Sequence, residues 1–350
     1  MSVSWAWPFG NESAAVLQSL GWIPSTISAT YFAPKNGAAE VFSYTGSPAR
    51  WSLGIAPGQY IYTPSDSYVN KGWVTMAHRA TTVSAQNGGF LSLLNAYSSN
   101  NLKGVYAYRT YVSVGSFVLD LYVDNVFKER TTLIDARQWH YYALKYDQSG
   151  ATWSGQLYID GVAVTASYTD ASAASTAGFY FTYGFSSGTR ETSLAQFIVY
   201  DDLADAGEKV RWVTRGNPTS DVSEVGVWTP STGVDNYAVV DDPLVLTDYT
   251  DEPTPNIADN QVLDCPDIAT ICGITPANID GVVALVFAAG AGHTAHAAIG
   301  DGTSFVNGAV KTVPAAGSAG ALHASSALKP SGGAWAGTTV PRLKYELDTV

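Results

Sequence analysis

Among the residues that could perform chemistry, histidines come first because they serve as bases and as metal ligands. His293 and His296 are three residues apart, and both side chains would reach one metal ion only if the segment were helical. The glycines and alanines around them predict a loop instead, so we expect no metal there. His140 follows a tryptophan in a predicted strand, which indicates a structural or surface role. The other two are His78 and His323. Neither a Gly-x-Ser-x-Gly elbow nor a phosphate-binding loop occurs, and we predict no catalytic residue.

Acidic residues could bind calcium, which takes six to eight oxygen ligands. The richest acidic segment lies near the middle of the second half of the chain: Asp235, Asp241, Asp242, Asp248, Asp251 and Glu252. No EF-hand spacing is present, so a solvated acidic face is the first interpretation and a calcium loop the alternative. The calcium candidates are Asp147, Asp201, Asp241 and Asp242. No other cofactor is predicted.

Two tyrosines could stack on the faces of sugar rings. Tyr106 and Tyr108 alternate along one predicted strand and therefore point to the same face, whereas Tyr111 is out of phase. They are the candidate ligand-binding residues. Packing in a core is the alternative, because paired tyrosines on one strand face are equally typical of a buried sheet.

The two cysteines, Cys265 and Cys272, are too few for a disulfide-rich scaffold. We interpret them as free buried thiols, with a single loop disulfide as the alternative. No CxxC pair or neighbouring histidine pair points to zinc.

Composition and charge restrict the class of protein. The 350 residues are enough for about two domains. A net charge of −12 argues against nucleic-acid binding and against electrostatic attachment to a membrane. The most apolar run, 282–292, is shorter than a membrane-spanning helix requires. The first residues lack the pattern of a signal peptide, so we expect a soluble protein made in the cytoplasm.

The elements that would position these residues are mostly strands. Alternating segments separated by Gly, Asn and Asp turns run from about residue 31 to residue 199, as in an antiparallel sandwich. Short helices are predicted at 11–20 and 204–213. A small polar linker follows at 214–221, and the apolar run 282–289 is interpreted as a buried central strand.

The N-terminal arm, residues 1–27, carries several tryptophans beside its predicted helix. Trp5, Trp7 and Trp22 either pack this arm onto the body of the protein or dock it on a neighbouring subunit. They are the candidate assembly residues, because clustered exposed aromatics tend to mark an interaction surface.

Three segments carry a resemblance to a known family. The segments are 137–147 with Trp-His-Tyr-Tyr-Ala, 155–164 with Leu-Tyr-Ile-Asp-Gly, and 193–203 ending in Tyr-Asp-Asp-Leu. In this order they resemble laminin G-like, concanavalin A-like jelly rolls over residues 28–215. The resemblance implies two antiparallel sheets, one of them concave. It also implies binding of sugars or proteins, often with calcium.

Some members of that family cleave glucans, and they carry a Glu-x-Asp-x-x-Glu strand whose alternate carboxylates serve as acid and nucleophile. That spacing is absent here. Asp120, Asp124 and Glu129 are the nearest approach, and we interpret them as solvated surface acids. A glucan hydrolase is therefore the least favoured function.

The last part of the chain is similar to segments of tailed-bacteriophage virion structural proteins. The similarity rests on Trp-Thr-Pro and Tyr-Ala-Val-Val-Asp within 227–243, on 247–251, and on the closing Ala-Trp at 334–335 with the apolar tail 340–343. It implies a β-rich attachment module over residues 222–350.

Together these observations predict an all-β chain with an antiparallel jelly-roll sandwich, 28–215, and a smaller β-rich module, 222–350. The expected function is non-enzymatic: a phage virion protein displaying a lectin-like domain that binds host-surface glycans. Capsid decoration or a head fibre is slightly favoured over a tail protein. The expected partners are other virion proteins of the capsid or tail, and the chain is expected to form a homo-oligomer. The alternative is a free carbohydrate-binding protein.

Overall fold

The computed structural model describes the chain in segments, and these form two compact units, 3–213 and 214–350. The described residues are 3–7, 17, 23–24, 32–35, 52–55, 60–62, 69–80, 88–95, 104–113, 115–124, 126–171, 179–184, 192–204, 213–233, 235–240, 249–276, 278–290, 292–314 and 320–350. Each unit is considered separately.

The first unit consists of antiparallel strands. In chain order they are β1 (Val3–Trp7), β2 (Ile23–Pro24), β3 (Phe32–Lys35), β4 (Ser52–Ile55), β5 (Tyr60–Tyr62), β6 (Lys71–Ala80), β7 (Gly88–Asn95), β8 (Val105–Ser113), β9 (Ser116–Val123), β10 (Val126–Arg130), β11 (Ile134–Asp135), β12 (His140–Asp147), β13 (Thr152–Ile159), β14 (Val162–Ala163), β15 (Tyr168–Ala171), β16 (Phe179–Gly184) and β17 (Thr192–Tyr200).

These strands form two sheets. The first sheet has the order β14-β13-β12-β6-β17-β4-β3, with β1 added on β17 and β15 on β13. The second sheet has the order β10-β9-β8-β7-β16-β5-β2, with β11 added on β9. Every pair in both sheets is antiparallel, and the predicted all-β antiparallel sandwich is confirmed.

The two sheets pack face to face with a glycine at the contact. Gly155 of β13 lies so close to the second sheet that an added Cβ would be 2.4 Å from a Val105 methyl group, with Val123 and Leu121 next. These three side chains therefore define the inner face of β8 and β9. Residues of opposite parity on those two strands lie on the outer face.

The first sheet is buried on both faces along β6 and β12. Consecutive residues Trp73–Ala77 of β6 are all fully buried, and successive strand residues point to opposite sides. On β12 the same holds for 141–144. Part of the cover is Trp139, which packs against Ala77 and Ala195. The second sheet is likewise buried on both faces along residues 117–121 of β9, whereas Phe127 on the neighbouring β10 is exposed.

A two-residue turn joins β13 to β14. Asp160 and Gly161 both have positive φ, 52° and 81°, as a type I′ hairpin requires. The Asp-Gly hairpin predicted from the sequence is present, with Ile159 opposite Val162.

The second unit is also β-rich. Its elements are β18 (Ser220–Val225), β19 (Thr229–Pro230), α1 (Asn236–Val240), β20 (Thr250–Asp251), β21 (Asn260–Asp264), α2 (Ile268–Cys272), β22 (Val282–Ala288), β23 (Thr294–Gly300), β24 (Phe305–Asn307), β25 (Lys311–Thr312), β26 (Gly320–Ser326) and β27 (Arg342–Thr349). The main sheet has the order β18-β21-β27-β23-β24, with β25 added on β23. Two further sheets are β19-β20 and β22-β26.

Two sequence predictions for this unit are wrong. The run 282–289 forms β22, but β22 pairs with β26 in a two-stranded sheet and is mostly half-buried, so it is not a central strand. His296 lies in β23 rather than in a loop. The loop prediction rested on the alanines and glycines around His296, but in the structure Ala295 and Ala297 pack in a small core with Leu322.

Other predictions lie outside the described residues. Of the helix predicted at 11–20, only Leu17 is described, and it is helical and buried. Of the helix predicted at 204–213, only the two end residues are described. No described helix is long and apolar enough to cross a membrane.

Candidate functional site

Four aromatic side chains come together on the outer face of the second sheet. Tyr106 and Tyr108 lie on β8, Tyr122 on β9 and Phe127 on β10. Tyr106 is directly opposite Tyr122, and Phe127 is opposite Tyr122 on the other side. The rings of Tyr106 and Tyr122 stack with centroids 4.8 Å apart, and Phe127 meets Tyr122 edge-on at 5.8 Å. We call these four residues the aromatic surface.

Exposure differs across the aromatic surface. Phe127 is 50% exposed, Tyr108 and Tyr122 are half-buried, and Tyr106 is buried. Phe127 and Tyr122 are thus the rings that a ligand could reach. Tyr106, on the neighbouring strand, stacks against Tyr122, and Tyr108 meets Tyr122 edge-on at 6.4 Å.

A polar group borders the aromatic surface on the same face. Asp120 of β9 lies opposite both Tyr108 and Arg130 in the strand register. Its Oδ1 accepts a hydrogen bond from Arg130 Nε at 2.6 Å. Its Oδ2 accepts bonds from Arg130 Nη2 at 3.0 Å and from Thr110 Oγ1 at 2.7 Å. The Asp120 side chain is only 4% exposed, whereas that of Arg130 is 55% exposed.

Burial raises the pKa of two tyrosines of the aromatic surface, Tyr106 and Tyr122. Burial, followed by the neighbouring Tyr122 and Tyr108, raises the pKa of Tyr106 above its ordinary value. Burial and then the Asp120 carboxylate raise the pKa of Tyr122. Both phenols therefore remain protonated up to strongly alkaline pH and offer hydroxyl groups rather than charge.

Two of the three strand carboxylates accept hydrogen bonds, and Asp120, predicted to be a solvated surface acid, is instead buried. Both oxygens of Asp120 accept hydrogen bonds, as described above. Glu129 accepts from the Ala166 backbone N–H at 2.7 Å. Asp124 lies in the turn after β9 with φ 47°.

The calcium candidates divide between described and undescribed residues. Asp147 Oδ1 accepts hydrogen bonds from the Ser149 N–H and Oγ at 2.9 and 2.6 Å, and Asp201 is exposed. Asp241 and Asp242 lie outside the described residues. Within the described segments, no group of three or more His, Cys, Asp or Glu side chains could hold a metal ion.

Histidines form two carboxylate pairs. His140 Nδ1 lies 2.6 Å from Asp160 Oδ2, and Asp160 Oδ1 accepts from the Tyr141 N–H. His296 is buried, with Nδ1 2.8 Å from Asp348 Oδ2. The second pair was not predictable from the sequence, because it joins neighbouring strands, β23 and β27, that are far apart in the chain. His78 is fully buried, and desolvation, then nearby Arg109, lowers its pKa well below the usual value.

The remaining candidates are the tryptophans and cysteines. Trp7 of β1 is buried within its own unit. This agrees with the interpretation that the N-terminal arm packs on the body of the protein. The Trp5 side chain and all of Trp22 lie outside the described parts, so an assembly role stays a prediction. Cys265 and Cys272 are both free. Burial raises the pKa of the Cys265 thiol to about 11, so it is an unreactive thiol at neutral pH.

No protein-family model and no curated protein matches this chain. Solved structures with similar architecture include a carbohydrate esterase of the Shiga toxin-encoding bacteriophage phi24B, with 14% identity, 56% of this chain and 97% of that chain covered, and a TM-score of 0.36. Domain 4 of the arabinanase AbnA from Geobacillus stearothermophilus, in complex with arabinotriose, has 10% identity, coverages of 59% and 96%, and a TM-score of 0.38.

A third similar structure is the catalytic domain of a glycoside hydrolase family 131 protein from Coprinopsis cinerea. It has 10% identity, coverages of 58% and 95%, and a TM-score of 0.40. At these identities and TM-scores, no activity, ligand or partner is transferred to this chain.

Proposed function

We propose that the first unit binds carbohydrate on the aromatic surface. The observation that carries this proposal is the exposed ring of Phe127 next to Tyr122, bordered by the Asp120–Arg130–Thr110 group. Sugar rings present C–H faces that pack on aromatic rings, while their hydroxyl groups need hydrogen-bond partners at the edge. The aromatic surface provides the rings on which a sugar can pack, and Arg130 provides hydrogen-bond donors for its hydroxyl groups.

The aromatic surface is suited to binding because its shape is fixed before a ligand arrives. Tyr106 stacks against Tyr122, and the bidentate pair with Asp120 holds Arg130 in place. Strand β10, which carries both Phe127 and Arg130, is itself joined to β15 of the first sheet by Lys128 and Asp170 at 2.6 Å. A preorganised surface loses less conformational entropy on binding.

The test is a comparison of two alanine variants of the full chain on a glycan array and by calorimetry. Phe127→Ala should weaken glycan binding about tenfold or more, because a stacking ring contributes about 1–2 kcal/mol. Val162→Ala is the matched control, since Val162 is 65% exposed but lies on β14 of the first sheet. Equal affinities for Phe127→Ala and the parent protein would refute the proposed site.

We also propose that the chain is a non-enzymatic structural protein of a tailed-phage virion, with capsid decoration or a head fibre favoured over a tail position. The support is the resemblance of residues 222–350 to virion structural proteins described above. The expected partners are other virion proteins and further copies of this chain. Immunogold labelling of purified particles should place it on the head. Absence from purified particles would leave a free carbohydrate-binding protein as the better account.

A further inference from the structure

The charges around the aromatic surface are neutralised within the protein. Arg130 makes two hydrogen bonds to Asp120, and Lys128 pairs with Asp170. Glu129, the remaining charged residue of β10, accepts a backbone hydrogen bond from Ala166. No uncommitted cation therefore lies on the described part of β8, β9 and β10 that borders the aromatic rings.

An anionic sugar would gain little at such a surface. A carboxylate or sulfate has to lose part of its hydration, and only an available positive charge compensates for that cost. Here Arg130 already faces the buried carboxylate of Asp120, so a second anion would leave the group with a net negative charge. The chain as a whole carries a charge of −12, which also disfavours the approach of an anionic polymer.

Arg130 still has donors to offer. A guanidinium has five N–H bonds in a fixed fork, and the bonds to Asp120 use Nε and one N–H of Nη2. The side chain is 55% exposed, so the rest of the fork faces solvent beside the aromatic rings. These donors suit hydroxyl and ring oxygens, which accept hydrogen bonds without carrying charge.

We infer that the ligand is an uncharged oligosaccharide, which packs on Phe127 and Tyr122 while Arg130, neutralised by Asp120, donates hydrogen bonds to its oxygens. This inference rests on the proposed carbohydrate-binding function and adds the ligand class and the role of Arg130. From the charges of the described residues, we expect uronic-acid, sialylated and sulfated glycans to bind more weakly than neutral ones.

The first test is an array that carries neutral and acidic glycans, probed with the full chain. The expected ligands are neutral. Raising the salt concentration from about 50 to about 500 mM should change their Kd less than about twofold, because no ion pair forms on binding. Selective binding of acidic glycans that weakens severalfold with salt would overturn the inference while supporting the site. Absence of binding to any glycan would refute the proposed function and the inference with it.

The second test separates the charge of Arg130 from its donors. Arg130 alone should not be replaced, because Asp120 would be left as an uncompensated buried charge. In the double variant Asp120→Asn, Arg130→Gln both side chains are neutral, and amide donors remain. It should bind the neutral ligand within about fivefold of the parent protein.

The companion double variant, Asp120→Asn, Arg130→Met, removes the donors as well. It should weaken binding about tenfold, which corresponds to one or two lost hydrogen bonds. A thermal melt of each variant confirms that it is folded. If the Gln variant lost all binding while remaining folded, the charge of Arg130 would be essential and the inference would be wrong.

Discussion

Asp160 shows which contacts of a single residue could be predicted from the sequence. Asp160 occupies the first position of the β13–β14 turn, and its carboxylate also contacts His140 Nδ1 and the Tyr141 N–H. The turn was predictable, because Asp-Gly is a strong hairpin signal. The contact with His140 was not, because it depends on the register between β12 and β13.

On the aromatic surface, too, contacts that depend on strand register could not be predicted from the sequence. The shared face of Tyr106 and Tyr108 follows from strand periodicity alone. Their exposure does not, and Tyr106 proves to be buried. Tyr122 and Phe127 were missed because they lie on the next two strands, and only strand order and register bring them beside Tyr106.

Asp301 allows a prediction at the scale of one residue. Its carboxylate accepts hydrogen bonds from the N–H groups of Thr303, Ser304 and Ser331 at 3.0, 3.1 and 3.0 Å, and from Ser331 Oγ. These bonds, the Ser331 hydroxyl first, lower the pKa of Asp301 below its ordinary value. Asp301→Asn should therefore lower the melting temperature of the second unit by several degrees at neutral pH.

The sign of the pH effect follows from the direction of that shift. A lowered pKa in the folded state stabilises the protein above the ordinary pKa of an aspartate, and this stability is lost as the pH falls below it. The difference between Asp301→Asn and the parent protein should shrink in acid. Asp235→Asn is the control, because Asp235 is exposed. An unchanged difference between pH 7 and about pH 3 would contradict the account.

At the scale of elements, strand periodicity predicted the sandwich but not the position of every strand. The apolar run that forms β22 has no alternation, and such a run fits a central strand as well as a strand packed on one face. In the structure this run is a strand packed on one face, paired with β26 in a two-stranded sheet. His296 was assigned to a loop because glycine and alanine surround it, yet small residues there allow close packing of β23 on its neighbours.

The contact between the two sheets of the first unit gives a prediction at this scale. Gly155→Ala should destabilise the first unit by about 1–3 kcal/mol, because the new methyl group would overlap Val105 and push the sheets apart. Urea denaturation followed by tryptophan fluorescence measures the change.

Gly150→Ala provides the matched control in the same unit. No atom lies within 4 Å of a Cβ added at Gly150, so its effect should stay within about 0.5 kcal/mol. Equal stabilities of the two variants would show that the sheets are not packed as closely as described.

At the scale of the whole molecule, the chain combines two β-rich units, 3–213 and 214–350. In the first unit, the ligand surface that we propose lies on the second sheet, where Phe127 of β10 is 50% exposed. The division of labour that we propose assigns glycan binding to the first unit and attachment to the virion to the second.

Hydrogen–deuterium exchange of the full chain tests the central claim most directly, because it locates a ligand without altering any residue. With a neutral oligosaccharide identified on the array, peptides covering β8, β9 and β10, residues 105–130, should become protected. Peptides of β12 and β13 and those of the second unit should exchange at unchanged rates. Protection confined to the second unit, or to β12 and β13, would contradict carbohydrate binding on the aromatic surface.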